Sequence, residues 1–292
     1  MRKPNWVMVL LAARAPVTGP IGPGNPMGSF GTVAPIPTYY GLAQHYARMA
    51  VGPGGQVMCV MQVGVGGNSV AWSRNMNGLA SPSFTQITNI QAIGIGFHYP
   101  LPAQTNRTIN VGADVAWDRS GGPHNGRIYA VYTDLGSNGT NDTENCLVYS
   151  DTDGATWSSR LQVSDEGTGM SKFWPALARD QTTGNVAIRW YDARNDPNNI
   201  KVQYFADVSQ DGGIRFRGNI ALTPGQSQWP PLYWAGLSQT EYVGFLDYTG
   251  LVYLNGILYA VWSDNSDLPT GGYSNPDPGQ QFLDIYMSKL AY

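Results

Sequence analysis

The strongest constraint on this chain is a phrase that it repeats: Gly126-Arg-Ile-Tyr-Ala-Val-Tyr132-Thr-Asp134, Gly184-Asn-Val-Ala-Ile-Arg-Trp190-Tyr-Asp192 and Gly256-Ile-Leu-Tyr-Ala-Val-Trp262-Ser-Asp264. In each copy a glycine precedes alternating apolar residues, then an aromatic, then an aspartate eight positions after the glycine. A further stretch, Gly55-Gln-Val-Met-Cys-Val-Met61-Gln-Val63, keeps the glycine and the apolar run but lacks the aromatic and the aspartate. A unit that recurs in this way marks a repeat architecture, and it limits the fold before any single residue is considered.

Other segments recur around that phrase. Upstream lie the apolar runs 46–51, 109–117, 173–178 and 248–253, and downstream lie 70–73, 147–150, 202–205 and 285–288. A fourth run follows in three units, at 83–88, 157–163 and 216–222. Four consecutive strands per unit, at a spacing of roughly 55–75 residues, is the plan of a β-propeller blade. The expected fold is therefore all-β, a propeller of four-stranded antiparallel blades forming one domain over residues 1–292. Its parts are a half-blade at 1–40 and successive blades at 42–90, 108–164, 171–223 and 241–290. That count implies either a small ring of about five to six blades sealed by the termini or an incomplete piece of a larger one, with the piece slightly favoured.

Composition agrees with short strands and tight turns. Glycine (36) and proline (20) are abundant and only 13% of residues are charged, which leaves little material for amphipathic helices. A net charge of −3 gives no reason to expect nucleic acid as a partner. The apolar run near the start is too short to span a bilayer, and Arg14 interrupts it, so residues 6–12 read as a strand rather than as a membrane span or signal peptide. Cys59 and Cys146 are expected to be buried thiols ahead of a single bridge, and no Cys/His cluster has metal-site spacing.

The turns after the third strands carry the most specific signal. Ser209-Gln-Asp211-Gly-Gly213-Ile-Arg-Phe216 fits S-x-D-x-G-x-x-[WF], the Asp-box or BNR repeat, and the chain resembles the sialidase-like superfamily over about residues 42–290. Ser150-Asp-Thr-Asp-Gly154-Ala-Thr-Trp157 keeps the serine, glycine and tryptophan, with Thr152 where the aspartate belongs, and Ser73-Arg-Asn75-Met-Asn-Gly78 is a decayed copy. In such a turn the side chains bond the turn's own amides, glycine takes the positive-φ position and the aromatic staples the turn to the blade. This is a folding device.

The resemblance implies a glycoside hydrolase that cleaves sialic acid or a related acidic sugar at the channel mouth. Its residue types are arginines for a carboxylate, a tyrosine nucleophile polarised by a glutamate, and an aspartate as acid/base. Carried onto this sequence, these are Tyr248 with Glu241 and Asp247, and Asp114 as acid. Arg48, Arg107 and Arg194 are the candidate clamps, with Lys172 and Trp174 at the start of another inner strand. Tyr46-Ala-Arg48-Met-Ala50 stands where the family has Arg-Ile-Pro, with the isoleucine and proline replaced. The alternative is a non-catalytic propeller that binds glycan or protein. Either implies a carbohydrate or glycoconjugate partner and an extracellular or cell-surface setting. No cofactor is expected; the runs Asp192-Ala-Arg-Asn-Asp196 and Asp264-Asn-Ser-Asp267 offer oxygen ligands for a structural calcium, with plain turn-capping weighed above it.

Overall fold

A computed structural model describes residues 11–12, 34–37, 44–64, 68–78, 84–167, 169–228, 245, 249–266 and 284–292. Two short strands, β1 (Leu11–Ala12) and β2 (Ala34–Pro35), pair antiparallel. The first large sheet contains β3 (Gln44–Val51), β4 (Val57–Val63), β5 (Asn68–Asn75) and β6 (Thr88–Ile93), paired in chain order. A hairpin of β7 (Tyr99–Leu101) and β8 (Gln104–Ile109) follows. The second sheet is β9 (Asp114–Trp117), β10 (Ile128–Leu135), β11 (Thr143–Ser150) and β12 (Leu161–Gln162). The third is β13 (Lys172–Arg179), β14 (Val186–Asp192), β15 (Lys201–Ser209) and β16 (Ile220–Ala221), with β17 (Ser227–Gln228) also on β15. The last is β18 (Gly250–Leu254), β19 (Ile257–Asp264) and β20 (Asp284–Ala291).

These antiparallel sheets are the blades of a β-propeller, and their innermost strands meet in the order β3, β9, β13, β18. The repeated Gly-to-Asp phrase is the second strand of a blade in every copy. The strands β4, β10 and β14 are buried along both faces, because each sheet is sandwiched between neighbours. In the two copies that carry tryptophan, the aromatic and the aspartate act together. Trp190 Nε1 donates to Asp192 Oδ2 at 2.7 Å, and Trp262 Nε1 donates to Asp264 Oδ2 at 2.9 Å. A buried indole N–H is thereby satisfied two residues along its own strand. These aspartates belong to the scaffold.

Two turns follow the expected chemistry closely. Ser209 Oγ donates to Asp211 Oδ1 and accepts from Gly213 N, both at 2.8 Å, while Asp211 Oδ1 also accepts from Ile214 N and Arg215 N. In the other turn Thr152 does the work of the missing aspartate. Its Oγ1 accepts from Thr156 N at 2.8 Å, as Asp211 accepts from Arg215, and Ser150 Oγ accepts from Gly154 N at 2.9 Å. Both turns lean on the preceding blade: a Cβ on Gly154 would meet Met58 and Trp72, and one on Gly213 would meet Tyr129 and Leu147. Arg74 donates to the Asp153 carbonyl, and Arg127 Nη1 donates to the Gly212 carbonyl at 2.8 Å, so each seam receives a guanidinium from the earlier blade.

The seams carry another device. Asp118 Oδ1 accepts from the backbone and hydroxyl of Ser120, while its Oδ2 pairs with Arg179 of the next blade. Asp180 repeats this: Oδ1 accepts from Thr182 N and Oγ1, and Oδ2 accepts from Gly256 N of the following blade at 2.6 Å. One oxygen closes the blade's own turn and the other holds its neighbour. Burial alone would raise both carboxyls, but these hydrogen bonds hold them below the usual range.

The structure departs from the sequence expectation in places. The single strand expected over 109–117 is split, because Gly112 turns the chain at φ 55° between β8 and β9. The fourth strands are shorter than expected in the second and third blades, and in the first blade the strand begins only at Thr88. Of the run 6–12 only Leu11–Ala12 is described. Cys59 and Cys146 are free, buried thiols, each pushed up to about 12 by burial. The last sheet buries Tyr253, Leu258, Ala260 and Trp262, whereas Val252, Leu254, Ile285 and Met287 on its other face are exposed.

Gly213 has φ 81°, and an added Cβ would lie 3.0 Å from Tyr129 Cε1. Gly213→Ala should therefore cost about 1–3 kcal/mol of stability, from the positive φ and the crowded seam together. Urea denaturation monitored by tryptophan fluorescence measures it; an unchanged midpoint would show that the seam yields freely.

Candidate functional site

The inner strands of the four large sheets surround a cavity of about 620 Å³. Its chemistry comes from Tyr46 and Arg48 on β3, Asp114 on β9, Trp174 on β13, Arg189 on β14 and Thr249 beside β18. The local backbone explains why these side chains reach it. The pairing of β3 with β4 shifts register between His45 and Arg48, and that of β13 with β14 shifts between Phe173 and Ala176. Inside the two bulges, Tyr46 (φ 57°) and Trp174 (φ 56°) adopt the left-handed conformation, and Gly112 does the same two residues before Asp114. The segments Gln44–Arg48, Asn110–Asp114 and Lys172–Ala176 therefore bend alike at their third residue, at one level of the channel. A left-handed non-glycine residue costs on the order of 1 kcal/mol, and such strain concentrates at ligand sites.

Asp114 is half-buried. Its Oδ1 accepts from Val115 N and its Oδ2 from Leu177 N of the next blade, both at 2.9 Å. Burial pushes its carboxyl above the ordinary aspartate range, against those two amides and the charges of Arg48 and Arg189. It is thus a carboxyl biased toward its protonated form in a cavity, which suits a proton donor. Arg48 is exposed at the wall, and among the described residues no ion pair holds its guanidinium. Arg189 is only 2% exposed. Its Nη1 donates to the Trp174 carbonyl at 2.7 Å, and its guanidinium lies over the Tyr204 ring, 5.4 Å from the centroid. Among the described residues the buried Nε of Arg189 and Nε1 of Trp174 have no hydrogen-bond partner.

The structure thus brings together three of the residues singled out from sequence: Arg48, Asp114 and Trp174. Others lie elsewhere. Lys172 is fully buried; its Nζ donates to Glu144 Oε1 at 2.9 Å and to the Met170 carbonyl at 3.0 Å, and it also pairs with Glu166. Arg194 is spoken for by Asp165 and Asp192, at 2.6 and 2.7 Å, and by Asn219. Arg107 is half-buried on β8, outside the cavity lining. Tyr248, Asp247 and Glu241 lie outside the described residues. Arg189 was not singled out from sequence. Its signal was there, as the one charged residue within Val186–Trp190, an otherwise apolar second strand.

Asp192 and Asp196 both cap turns: Asp192 Oδ1 accepts from Arg194 N, and Asp196 accepts from the amides of Asn198, Ile200 and Lys201. Among the described residues no group of three or more His, Cys, Asp or Glu could hold a metal ion, and no helix is long and apolar enough to cross a membrane.

No family model and no curated protein matches the chain. Among solved structures it is similar to the phage phi92 endosialidase, with a TM-score of 0.53 and 12% identity over 91% of this chain and 39% of the endosialidase. Further matches are the Hadza microbial sialidase Hz136 (TM-score 0.47, 11% identity, 76% of this chain and 42% of that one) and the GH93 α-L-arabinofuranosidase of Fusarium graminearum (0.47, 13%, 84% and 62%). The chain thus spans less than two thirds of the length of each. The fold is that of the sialidase-like β-propellers.

Lys172 makes a sharp stability prediction. Burial pushes Glu144 up to about 7, with Lys172 and Ser164 opposing the rise. A carboxyl raised in the folded state favours folding below its ordinary value near 4.5, and that contribution is lost as pH rises through about 7. Lys172→Met removes the opposing cation, so the variant should lose about 3–5 kcal/mol at pH 8 and distinctly less at pH 5. Chemical denaturation at both pH values reads the difference; an equal loss at both would show that Glu144 stays ionised without its partner.

Proposed function

We propose that the chain is a glycoside hydrolase of the sialidase-like kind, acting on sialic acid or a related acidic sugar held in the central cavity. The observation that carries this reading is the presence of Arg48, Arg189 and Asp114 together among the cavity's lining residues. Two guanidiniums and a single carboxyl leave the described lining with a positive surplus, and a carboxylate is the group whose two oxygens match guanidinium donors. Asp114, biased toward protonation, is the acid that would protonate the leaving oxygen. Tyr248, with Asp247 and Glu241, supplies the nucleophile; the support for it is sequence proximity to Thr249 and Gly250, which line the cavity. The turns at 150–157 and 209–216 belong to this reading as Asp-boxes, the setting is extracellular or at a cell surface, and the partner is a glycoconjugate.

A specific observation supports a second reading. Both oxygens of Asp114 already accept backbone amides, and Arg189 holds the Trp174 carbonyl, so both groups have scaffold duties. A propeller that binds an acidic glycan without turning it over would use the same cavity.

Release of 4-methylumbelliferone from a panel of acidic glycosides, the sialoside first, separates the two. Turnover should fall about 10²–10⁴-fold in Asp114→Asn, with a similar or larger loss in Tyr248→Phe, while Arg48→Ala should mainly raise KM. Binding of the acidic sugars without turnover would select the non-catalytic reading, and no binding at all would remove both.

A further inference from the structure

The hairpin β7–β8 is not part of the four-strand blade plan. It is inserted between β6, the outer strand of the first blade, and Asn110, which opens the cavity-lining segment of the second. Chain direction puts it at the end of the channel where the inner strands begin, beside Gln44–Tyr46. Contacts agree. The Phe97 ring at the base of the hairpin lies 4.5 Å from His45, and His45 lies 5.7 Å from Tyr46, centroid to centroid. Tyr46 itself lines the cavity. Three rings therefore run without a break from the cavity wall out to the hairpin.

Tyr46 is the residue whose placement the fold does not explain. It carries left-handed strain yet remains 41% exposed, whereas Trp174, at the matching place on β13, is 4% exposed and packed. At the third matching place Gly112 has no side chain, and a Cβ there would come within 3.3 Å of Trp174. Of the three matching places, only the one on the first blade therefore carries an exposed ring. Polar groups border the wall of three rings: His98 Nδ1 lies 3.3 Å from Thr108 Oγ1, joining the two arms of the hairpin. His45 is biased to its neutral form by burial and by the neighbouring His98.

We propose that Tyr46, His45 and Phe97, with the hairpin β7–β8, form a second saccharide subsite at the channel mouth. It takes the sugar unit next to the acidic one, so the ligand is an acidic oligosaccharide. A pyranose presents one face of C–H groups ringed by hydroxyls. Such a face stacks on an exposed aromatic ring, while the hydroxyls need hydrogen-bonding groups at its edge. The aromatic wall and the His98–Thr108 pair supply these two elements, while the charged groups lie in the cavity itself.

This inference rests on the acidic-sugar reading of the cavity, and calorimetry on the full chain tests the two separately. The probes are free N-acetylneuraminic acid and galacturonic acid against sialyllactose and trigalacturonic acid. At least one oligosaccharide should bind tenfold or more tightly than its free acid. Tyr46→Gly, which suits the left-handed backbone while deleting the ring, and Phe97→Ala should each bring that ratio toward one, and Tyr46→Trp should keep it. Equal affinity for acid and oligosaccharide in the unaltered protein, or a ratio that both variants leave intact, overturns the subsite and leaves the acidic cavity standing. No binding by any probe overturns both. Should a variant fold poorly, the ratio in the unaltered protein decides alone.

Discussion

Carboxylates that divide their two oxygens between adjacent blades hold this architecture in register. Where neighbouring blades bury the faces of a sheet, polar groups at the seams lose water and must find partners there. Asp118 and Asp180 close their own turns with one oxygen and grip the next blade with the other. Asp114 does the same one step deeper, between Val115 of its own strand and Leu177 of the neighbour. The inner strand β9 is therefore tied to β13 by an ionic and an amide contact, and the end of β13 to the turn before β19 by an amide contact. The apolar packing, Tyr204 on Trp262 at 4.6 Å among it, fills the space that those contacts define.

The cavity follows from that register. Inner strands held side by side would otherwise present flat, alternating walls, with second-strand side chains shut behind them. The bulge in β13 opens the wall opposite Arg189, and its guanidinium reaches the lining while still bonded to the Trp174 carbonyl. The same bend in β3 brings Tyr46 and Arg48 to the lining. Polar lining is thus a consequence of irregular backbone at one level of a regular scaffold, a place where local strain can be held by the surrounding packing.

Much of this was legible in the sequence, and the limits are physical. The Gly-to-Asp phrase announced blades because burial between neighbours imposes one pattern on second strands, complete on both faces in β4, β10 and β14 and on one face in β19. The turn at 209–216 was readable because its bonds lie within a few residues of one another; even Thr152 could be placed by its offset, although its hydroxyl accepts one backbone amide where the Asp211 carboxylate accepts two. Asp118-Arg-Ser120 and Asp180-Gln-Thr182 form a second internal echo that marks the seams. The fate of Lys172 was not legible. Its partners Glu144 and Glu166 belong to another blade's third strand and the loop after its fourth, so only tertiary geometry turns a channel cation into a buried ion pair. The access of Arg189 to the cavity was hidden for a related reason, since the bulge that admits it lies on the paired strand.

The electrostatics of the cavity bear on how binding and chemistry would be joined. Asp114 sits near two guanidiniums, and each favours its ionised form, yet burial still pushes its carboxyl upward. Desolvation therefore outweighs both cations in the open cavity. An anionic sugar would partly cancel the fields of Arg48 and Arg189 and would exclude more water from Asp114. Both changes penalise the carboxylate further, so ligand binding and proton retention at Asp114 reinforce each other. The Asp114 carboxyl would thus hold its proton most firmly with an anionic ligand in place, and a neutral ligand, leaving the arginine fields intact, would bring only the desolvation part of that effect.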